Sequence, residues 1–436
     1  EKLAKHDVVG VSYFVWNTFI SDKVCAEIKR INPDCLIVYG GLGTPKYGRC
    51  SEFLKERPYV DIIVHNEGEI VFSNLLKAII HDKDFSTVNG ITTQTFSTPL
   101  ESRIKDFPLM PSPYLDGLFD ELDSIKTNNY NWESLIELER GCPYTCAFCE
   151  DPSQNLLYRS KGIAKTYHRS KSPKRVIDEL HYLINTYGAN YIYFNAETFF
   201  AMPNKNFIEL ADLYSKEIKL PFWIQTRPET ITEERIRLLK NMGVSNINVG
   251  IEHGNEVYRW EMLKRSMSNK LIIEALTILD NAGIPVTVNN IMGFPDETRE
   301  LIFDTINLNR SIKSATINAY LYNPYPGTIL YEVCKKKGYL PKEGDEKAID
   351  THLSTEVFPY FKTILNLPTI SKAELCGLQK TFVLYSKLPR SEFKRIKIAE
   401  QHDEEGNAMF ELLSKEYKDV IQGKVQLPYE IKEYLG

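Results

Sequence analysis

The chain has 436 residues, 53 basic and 58 acidic side chains and a formal net charge of −5. Apolar residues make up 43% and charged residues 25%, an ordinary globular composition. No apolar run approaches the roughly 18 residues of a membrane span, and no basic block favours non-specific nucleic-acid binding. At roughly 150 residues per domain, two or three domains are expected. The chain starts at Glu1 without a methionine and reads as a piece of a longer protein, so its lack of a signal peptide carries little weight.

Taken in chain order, residues 7–80 read as α/β. A short strand pattern at 7–14 precedes a helix over 22–31 with Val24, Ile28 and Ile31 on its apolar side. A second strand over 35–39 closes on Gly40 and Gly41. A third follows at 60–64, then a helix from about Glu69 to Ile80. Such alternation implies parallel strands with right-handed crossovers. Residues 85–134 change character: 91–96 suits a short hairpin strand, and Pro99, Pro108, Pro111 and Pro113 break longer elements, as in a linker. Residues 135–340 form a second α/β run. Gly188, Gly243, Gly283 and Gly338 each stand past a helix end, where glycine supplies a left-handed cap and lets the chain turn. Thr230 and Glu233 have capping-box spacing. Strands near 135, 191, 222, 246, 286 and 316 give about six βα units. That is too few for a closed eight-stranded barrel and suits a partial one, with the ligand site at the carboxyl ends of the strands. Residues 341–436 are charged and mostly helical in pattern. The expected division is therefore 1–84, a linker at 85–134, 135–340 and 341–436.

Eight cysteines are too sparse for a disulfide scaffold. Cys142, Cys146 and Cys149 fall within eight residues, directly after the first strand of the second run. Clustering of that kind points to metal or redox chemistry. Three thiolates spaced C-x3-C-x2-C can wrap one face of a cubane iron–sulfur cluster and leave one iron open. A closed zinc knuckle is the alternative, but it asks for a second ligand pair, and the nearest histidine, His168, is nineteen residues away. Three ordinary buried cysteines are the other alternative.

On these residues the chain resembles the radical SAM superfamily, whose C-x3-C-x-aromatic-C loop matches Cys142, Cys146, Phe148 and Cys149. The resemblance implies a 4Fe-4S cluster that chelates S-adenosylmethionine and cleaves it to a 5′-deoxyadenosyl radical, with Phe148 near the adenine. It extends over about 200 residues. Glu197 stands where an acidic residue meets the methionine ammonium, although the family's usual surrounding motif is not kept. Arg227 ends the third strand and can meet a carboxylate. Gly250 to Gly254 resembles the family's Gly-Ile-Glu-Ser-Gly, with Glu252 near ribose and His253 in place of serine. The 290–298 segment resembles Gly-x-Pro-x-Glu-Thr, and Pro324 to Thr328 the segment after the sixth strand; Asn290 and Tyr322 complete the expected S-adenosylmethionine contacts. Each also has a plain reading: Glu297 and Thr298 can start a helix, Arg227 can form a structural ion pair, and His253 can be a loop histidine.

The first run resembles the cobalamin-binding domain that precedes many radical SAM domains, here incomplete at its start. Gly40, Gly41, Glu67 and Gly68 carry the match, while Leu42, His65 and Asn66 depart from it. Ser12, Tyr13, Trp16 and Asn17 follow a strand end and are the further candidates for lining the corrin. The Asp-x-His-x-x-Gly loop that supplies an axial histidine elsewhere is absent from the chain. The resemblance thus implies a Rossmann-like domain, a partial (β/α)6 barrel and a helical tail, together forming a cytoplasmic, cobalamin-dependent radical SAM methyltransferase. It would act on an unactivated carbon of a small molecule or peptide, take electrons from a flavodoxin or ferredoxin, and engage neither nucleic acid nor membrane. A cobalamin-linked rearrangement or cyclisation is an alternative. A methylthiotransferase would need a second cluster on Cys25, Cys35 and Cys50, which read as core residues. A non-catalytic metal-binding interaction protein is the last alternative.

Overall fold

A computed structural model describes residues 2–14, 17–81, 83–104, 110–120, 133–162, 167–341 and 363–421. They divide into two compact units. One comprises the described parts of 1–105 and 153–167; the other contains the described parts of 106–152, 168–348 and 358–436.

In the first unit, β1 (Val8–Ser12), β2 (Leu36–Gly40) and β3 (Ile62–Val64) pair in parallel, and β4 (Ile91–Thr93) closes the edge antiparallel to β3. Helices α1 (Thr18–Ile31), α2 (Ser51–Glu56) and α3 (Gly68–Ile80) connect them. The expected apolar side of α1 is only partly right. Cys25 and Ile28 are buried, whereas Val24 and Ile31 are 39% and 41% exposed. The helix begins four residues earlier than expected and turns Cys25 inward, beside Cys35 and Cys50 in the same apolar core.

The second unit is built on six parallel strands: β5 (Glu133–Glu137), β6 (Tyr191–Asn195), β7 (Phe222–Thr226), β8 (Val244–Glu252), β9 (Val286–Met292) and β10 (Thr316–Leu321). They lie side by side in chain order, as successive right-handed crossovers require. Alternation decides the faces. Ile192 and Phe194 of β6, Ile224 of β7 and Val249 of β8 sink into one core with helices α5 (Pro173–Tyr187), α6 (Asn204–Glu217), α7 (Glu233–Met242) and α8 (Asn269–Asn281). The intervening residues Tyr193, Trp223, Gln225 and Asn248 look to the other face. Gly188, Gly243 and Gly338 hold left-handed caps at helix ends. The start of α7 differs from the capping-box reading. Thr232 accepts from the Arg235 backbone N–H, while Thr230 sits in a preceding 3-10 turn and donates to the Arg227 carbonyl.

Helix α9 (Arg299–Arg310) and the C-terminal helices α10 (Lys372–Lys387), α11 (Phe393–Ala399) and α12 (Glu404–Ile421) build a second core in the same unit. Gln379 of α10 donates to the Ala319 carbonyl of β10, and Arg310 of α9 donates to the Tyr385 and Leu388 carbonyls. The helical tail thereby covers the β10 edge, which would otherwise offer unpaired groups. Among the described residues, no helix is long and apolar enough to cross a membrane.

Candidate functional site

The cysteine loop leaves the carboxyl end of β5. The Leu138 N–H donates to the Asn195 carbonyl, and residues 139–140 pair antiparallel with 169–170. Gly141 then turns at φ 81°, a region that favours glycine, and starts the loop. Ala147 anchors its middle on two sides. Its N–H donates 3.0 Å to the Leu263 carbonyl, and its carbonyl accepts from Leu330 at 3.0 Å. The loop ends where α4 (Glu150–Ser160) begins.

Burial pushes the Cys142 thiol up to about 12 and the Cys149 thiol well above its usual range. Such thiols stay protonated until a metal supplies the offsetting charge. Cys146 is buried and differently placed: Arg227 Nη1 donates to its Sγ at 2.9 Å and Arg265 Nη1 at 3.5 Å. Among the described residues no three His, Cys, Asp or Glu side chains converge as ligands of a single ion. In a cubane each cysteine serves a different iron, so its thiols stand apart. A set of three thiols with cationic donors at one of them fits such an anionic cluster.

Phe148 lies beside the cysteines, its ring 5.8 Å from that of Phe294. Glu197 follows β6 with its surface open; crowding by surrounding protein, then the charges of Asp151 and Glu139, push its pKa up to about 7. Glu252 sits at the end of β8, where the pairing register shifts and its φ is 64°. Its carboxylate is 3.8 Å from Arg265, and burial still raises its pKa. Cys142, Cys146, Cys149, Phe148, Glu197, Arg227 and Glu252 thus share the strand-end side of this unit.

Other expected contacts are enclosed. His253 is fully buried: its Nδ1 accepts from the Asn255 N–H, so Nε2 carries the proton that reaches Glu297 at 2.9 Å, and its ring stacks on Tyr258. Glu297 also accepts from the Gly293 and Phe294 N–H groups, which fixes the turn after β9, and Thr298 caps α9. Asn290 is fully buried and paired with Asn309. Tyr322 packs on Phe294 with 3% exposure. His253 and Asn290 brace the strand-end loops from inside, while the buried Tyr322 hydroxyl has no hydrogen-bond partner among the described residues. Arg265 was absent from the sequence expectations, because it lies in the short loop between the helix Glu256–Glu261 and α8, where no periodicity marks it.

In the first unit, Ser12 ends β1 and its carbonyl accepts from Asn17 Nδ2 at 2.7 Å; Asn17 Oδ1 accepts from the Phe14 N–H. Tyr13 points into the core, where its ring stacks on Tyr39 and both hydroxyls donate to Asp22. It is not a lining side chain. Trp16 lies outside the described residues. Gly40 ends β2, and Gly41 at φ 110° passes so close to the β1 loop that an added Cβ would stand 2.7 Å from the Tyr13 carbonyl. Glu67 and Gly68 start α3. His65 just before them is buried, bonded to Thr92 Oγ1 at 2.8 Å, and burial lowers its pKa to about 4.

Residues 136–308 match the model of the Radical SAM superfamily. The chain is 26% identical over 340 residues to the anaerobic magnesium-protoporphyrin IX monomethyl ester cyclase of Rubrivivax gelatinosus, covering 75% of this chain and 58% of the relative. It is 34% identical over 154 residues to the cobalamin-dependent radical SAM methyltransferase TokK of Streptomyces tokunonensis, covering 34% of this chain and 22% of that one. The solved structure of the cobalamin-dependent S-adenosylmethionine radical enzyme OxsB with aqua-cobalamin bound is similar at TM-score 0.65 and 15% identity, over 96% of this chain and 64% of that one. The chain therefore spans little more than half the length of the Rubrivivax relative. Residues 136–308, cysteine loop included, are similar to the radical SAM superfamily, and the fold is that of the solved OxsB structure.

Proposed function

We propose that this protein is a cobalamin-dependent radical SAM methyltransferase that methylates an unactivated carbon of a small molecule or peptide. The observation that carries this reading is the three-thiol loop at the strand ends of a six-stranded parallel sheet, with two buried arginines on the sulfur of Cys146. When bound, a 4Fe-4S cluster, S-adenosylmethionine and cobalamin supply reductive sulfonium cleavage and a transferable methyl group.

The chain's own residues bind, orient and exclude water. Cys142, Cys146 and Cys149 hold the cluster. Phe148 offers a flat apolar side to the adenine. Glu197 accepts from the methionine ammonium when ionised, and Glu252 accepts from ribose hydroxyls. Ser12, Asn17, Gly40, Gly41, Glu67 and Gly68, at the strand ends of the first unit, are the groups proposed to meet cobalamin. Holding the reacting atoms in line in a dry site is the protein's main contribution. A flavodoxin- or ferredoxin-type donor would supply electrons, and the protein would work in the cytoplasm.

Anaerobic reconstitution tests the proposal. Reduced protein given S-adenosylmethionine should release 5′-deoxyadenosine, retain cobalamin with a base-off spectrum, and yield a product heavier by one methylene. Cys146→Ala should abolish release. Persistent release in that variant would overturn the cluster assignment. The cyclase likeness favours one second reading, a radical cyclisation. It predicts the same deoxyadenosine without the mass gain.

A further inference from the structure

The three thiols of the loop stand in unequal surroundings. Cys142 Sγ has one hydroxyl nearby, Thr198 Oγ1 at 4.0 Å. Cys146 Sγ instead accepts from two guanidinium groups, Arg227 Nη1 at 2.9 Å and Arg265 Nη1 at 3.5 Å. The two arginines come from different loops, one after β7 and one after β8, and are only 7% and 4% exposed. Desolvated cations at hydrogen-bond distance act more strongly than the same cations in water.

Neither arginine is free to swing away. Arg227 Nε donates to Glu229 Oε1 at 2.7 Å, its Nη2 lies 2.5 Å from the same oxygen, and its guanidinium lies 3.9 Å from the Tyr144 ring centroid. Each of its three nitrogens already faces a protein acceptor. Arg265 Nη2 donates to the Gly250 carbonyl at 2.5 Å, and its Nη1 lies 3.8 Å from Glu252. The arrangement is therefore preset before any cofactor enters.

We propose that Arg227 and Arg265 set the reduction potential of the cluster through the sulfur of Cys146. This rests on the reading that Cys142, Cys146 and Cys149 hold a 4Fe-4S cluster. Reduction adds one electron, taken from an external donor, and no bond is made or broken and no proton moves in this step. The reduced state carries one more negative charge, spread partly onto the thiolate sulfurs. N–H···S bonds from cations favour that state and raise the potential, one of the known levers on such centres. Glu229 opposes part of the effect by neutralising Arg227. The two arginines are positioning residues here, acting on the cluster through Cys146.

The test is an EPR-monitored redox titration of the anaerobically reconstituted protein, with dithionite as reductant and without S-adenosylmethionine. Midpoints are compared among samples of equal iron and sulfide content. Arg227→Gln should have a more negative midpoint than the parent, Arg227→Lys an intermediate one, and the Arg227→Gln, Arg265→Gln double variant the most negative. Glu229→Gln keeps both arginines and should move the midpoint the opposite way, so the proposal stays testable if the arginine variants fail to load. An unchanged midpoint in loaded Arg227→Gln overturns the proposal. So does a midpoint that changes only when S-adenosylmethionine is present, which would assign Arg227 to that ligand's carboxylate. If the parent itself takes up no 4Fe-4S cluster, the functional reading falls and this proposal with it; a loaded parent with unmoved variants sinks the proposal alone.

Discussion

Two side chains with displaced titrations make direct predictions. Glu197, held near pH 7 by crowding and by Asp151 and Glu139, loses its charge as pH falls through that value. S-adenosylmethionine affinity should therefore weaken from pH 8 to pH 6, and Glu197→Gln should weaken it throughout and flatten the profile, as read by equilibrium dialysis. A parent profile flat over that range would remove Glu197 from the ammonium site. His65 is the opposite case, buried neutral with its pKa lowered to about 4. The unfolded chain binds its proton near pH 6.5, so this contribution to stability is full above that pH and fades as pH falls toward 4. Lowering the pH from 7 to 5 should cost the first unit about 2 kcal/mol from this group, measured as a drop in the urea midpoint that His65→Gln reduces. At this scale the grouping of Cys142, Cys146, Phe148 and Cys149 in one loop after a strand was legible, because it is local in the chain. Arg227 was found but its partner was not, and Arg265 was missed. Their shared sulfur lies 81 and 119 residues away, and no local pattern encodes such a meeting. His253 and Asn290 are enclosed in a way the chain did not reveal, for a related reason: a polar residue in a loop motif reads as exposed until the fold shows what closes over it.

The elements follow from alternation and from glycine. Strands β5 to β10 were readable because each bears one apolar face for the helices and a helix-ending glycine often stands before it. Caps were less so, since Thr230 and Thr232 offer the same chemistry two residues apart and only the preceding 3-10 turn chooses between them. For α1, Cys25 is in the core as its sequence reading expected, its small thiol turned inward, while Val24, expected on the apolar side, faces out. Close packing between elements gives a sharper prediction at Gly377 on α10. A Cβ there would stand 2.5 Å from the Glu400 carbonyl, just past α11. Gly377→Ala should push the two helices apart and cost about 1–3 kcal/mol, seen as a lowered thermal midpoint. The same substitution at Gly188, where nothing lies within 4 Å of the added carbon, meets only the strain of its φ of 70°. A smaller loss at Gly377 than at Gly188 would contradict this packing.

For the molecule as a whole, the architecture was legible from its repeats: an α/β unit, then six strands in chain order, then helices. The antiparallel β4 at the edge of the first sheet falls within the expected linker region, because three residues of strand carry too little pattern to declare their sheet. Residues 121–132 and 342–362 lie outside the described residues. The proposed chemistry lies at the strand ends of the second unit, where the thiol loop offers donors for three corners of a cubane. The account stands on the fourth corner being left for S-adenosylmethionine. The most direct check is the EPR spectrum of the reduced, reconstituted protein recorded before and after adding S-adenosylmethionine. The account predicts a reduced 4Fe-4S signal whose shape and g-values change on addition. A signal that stays the same at saturating ligand, or a loop that takes up zinc in place of iron and sulfide, would contradict it.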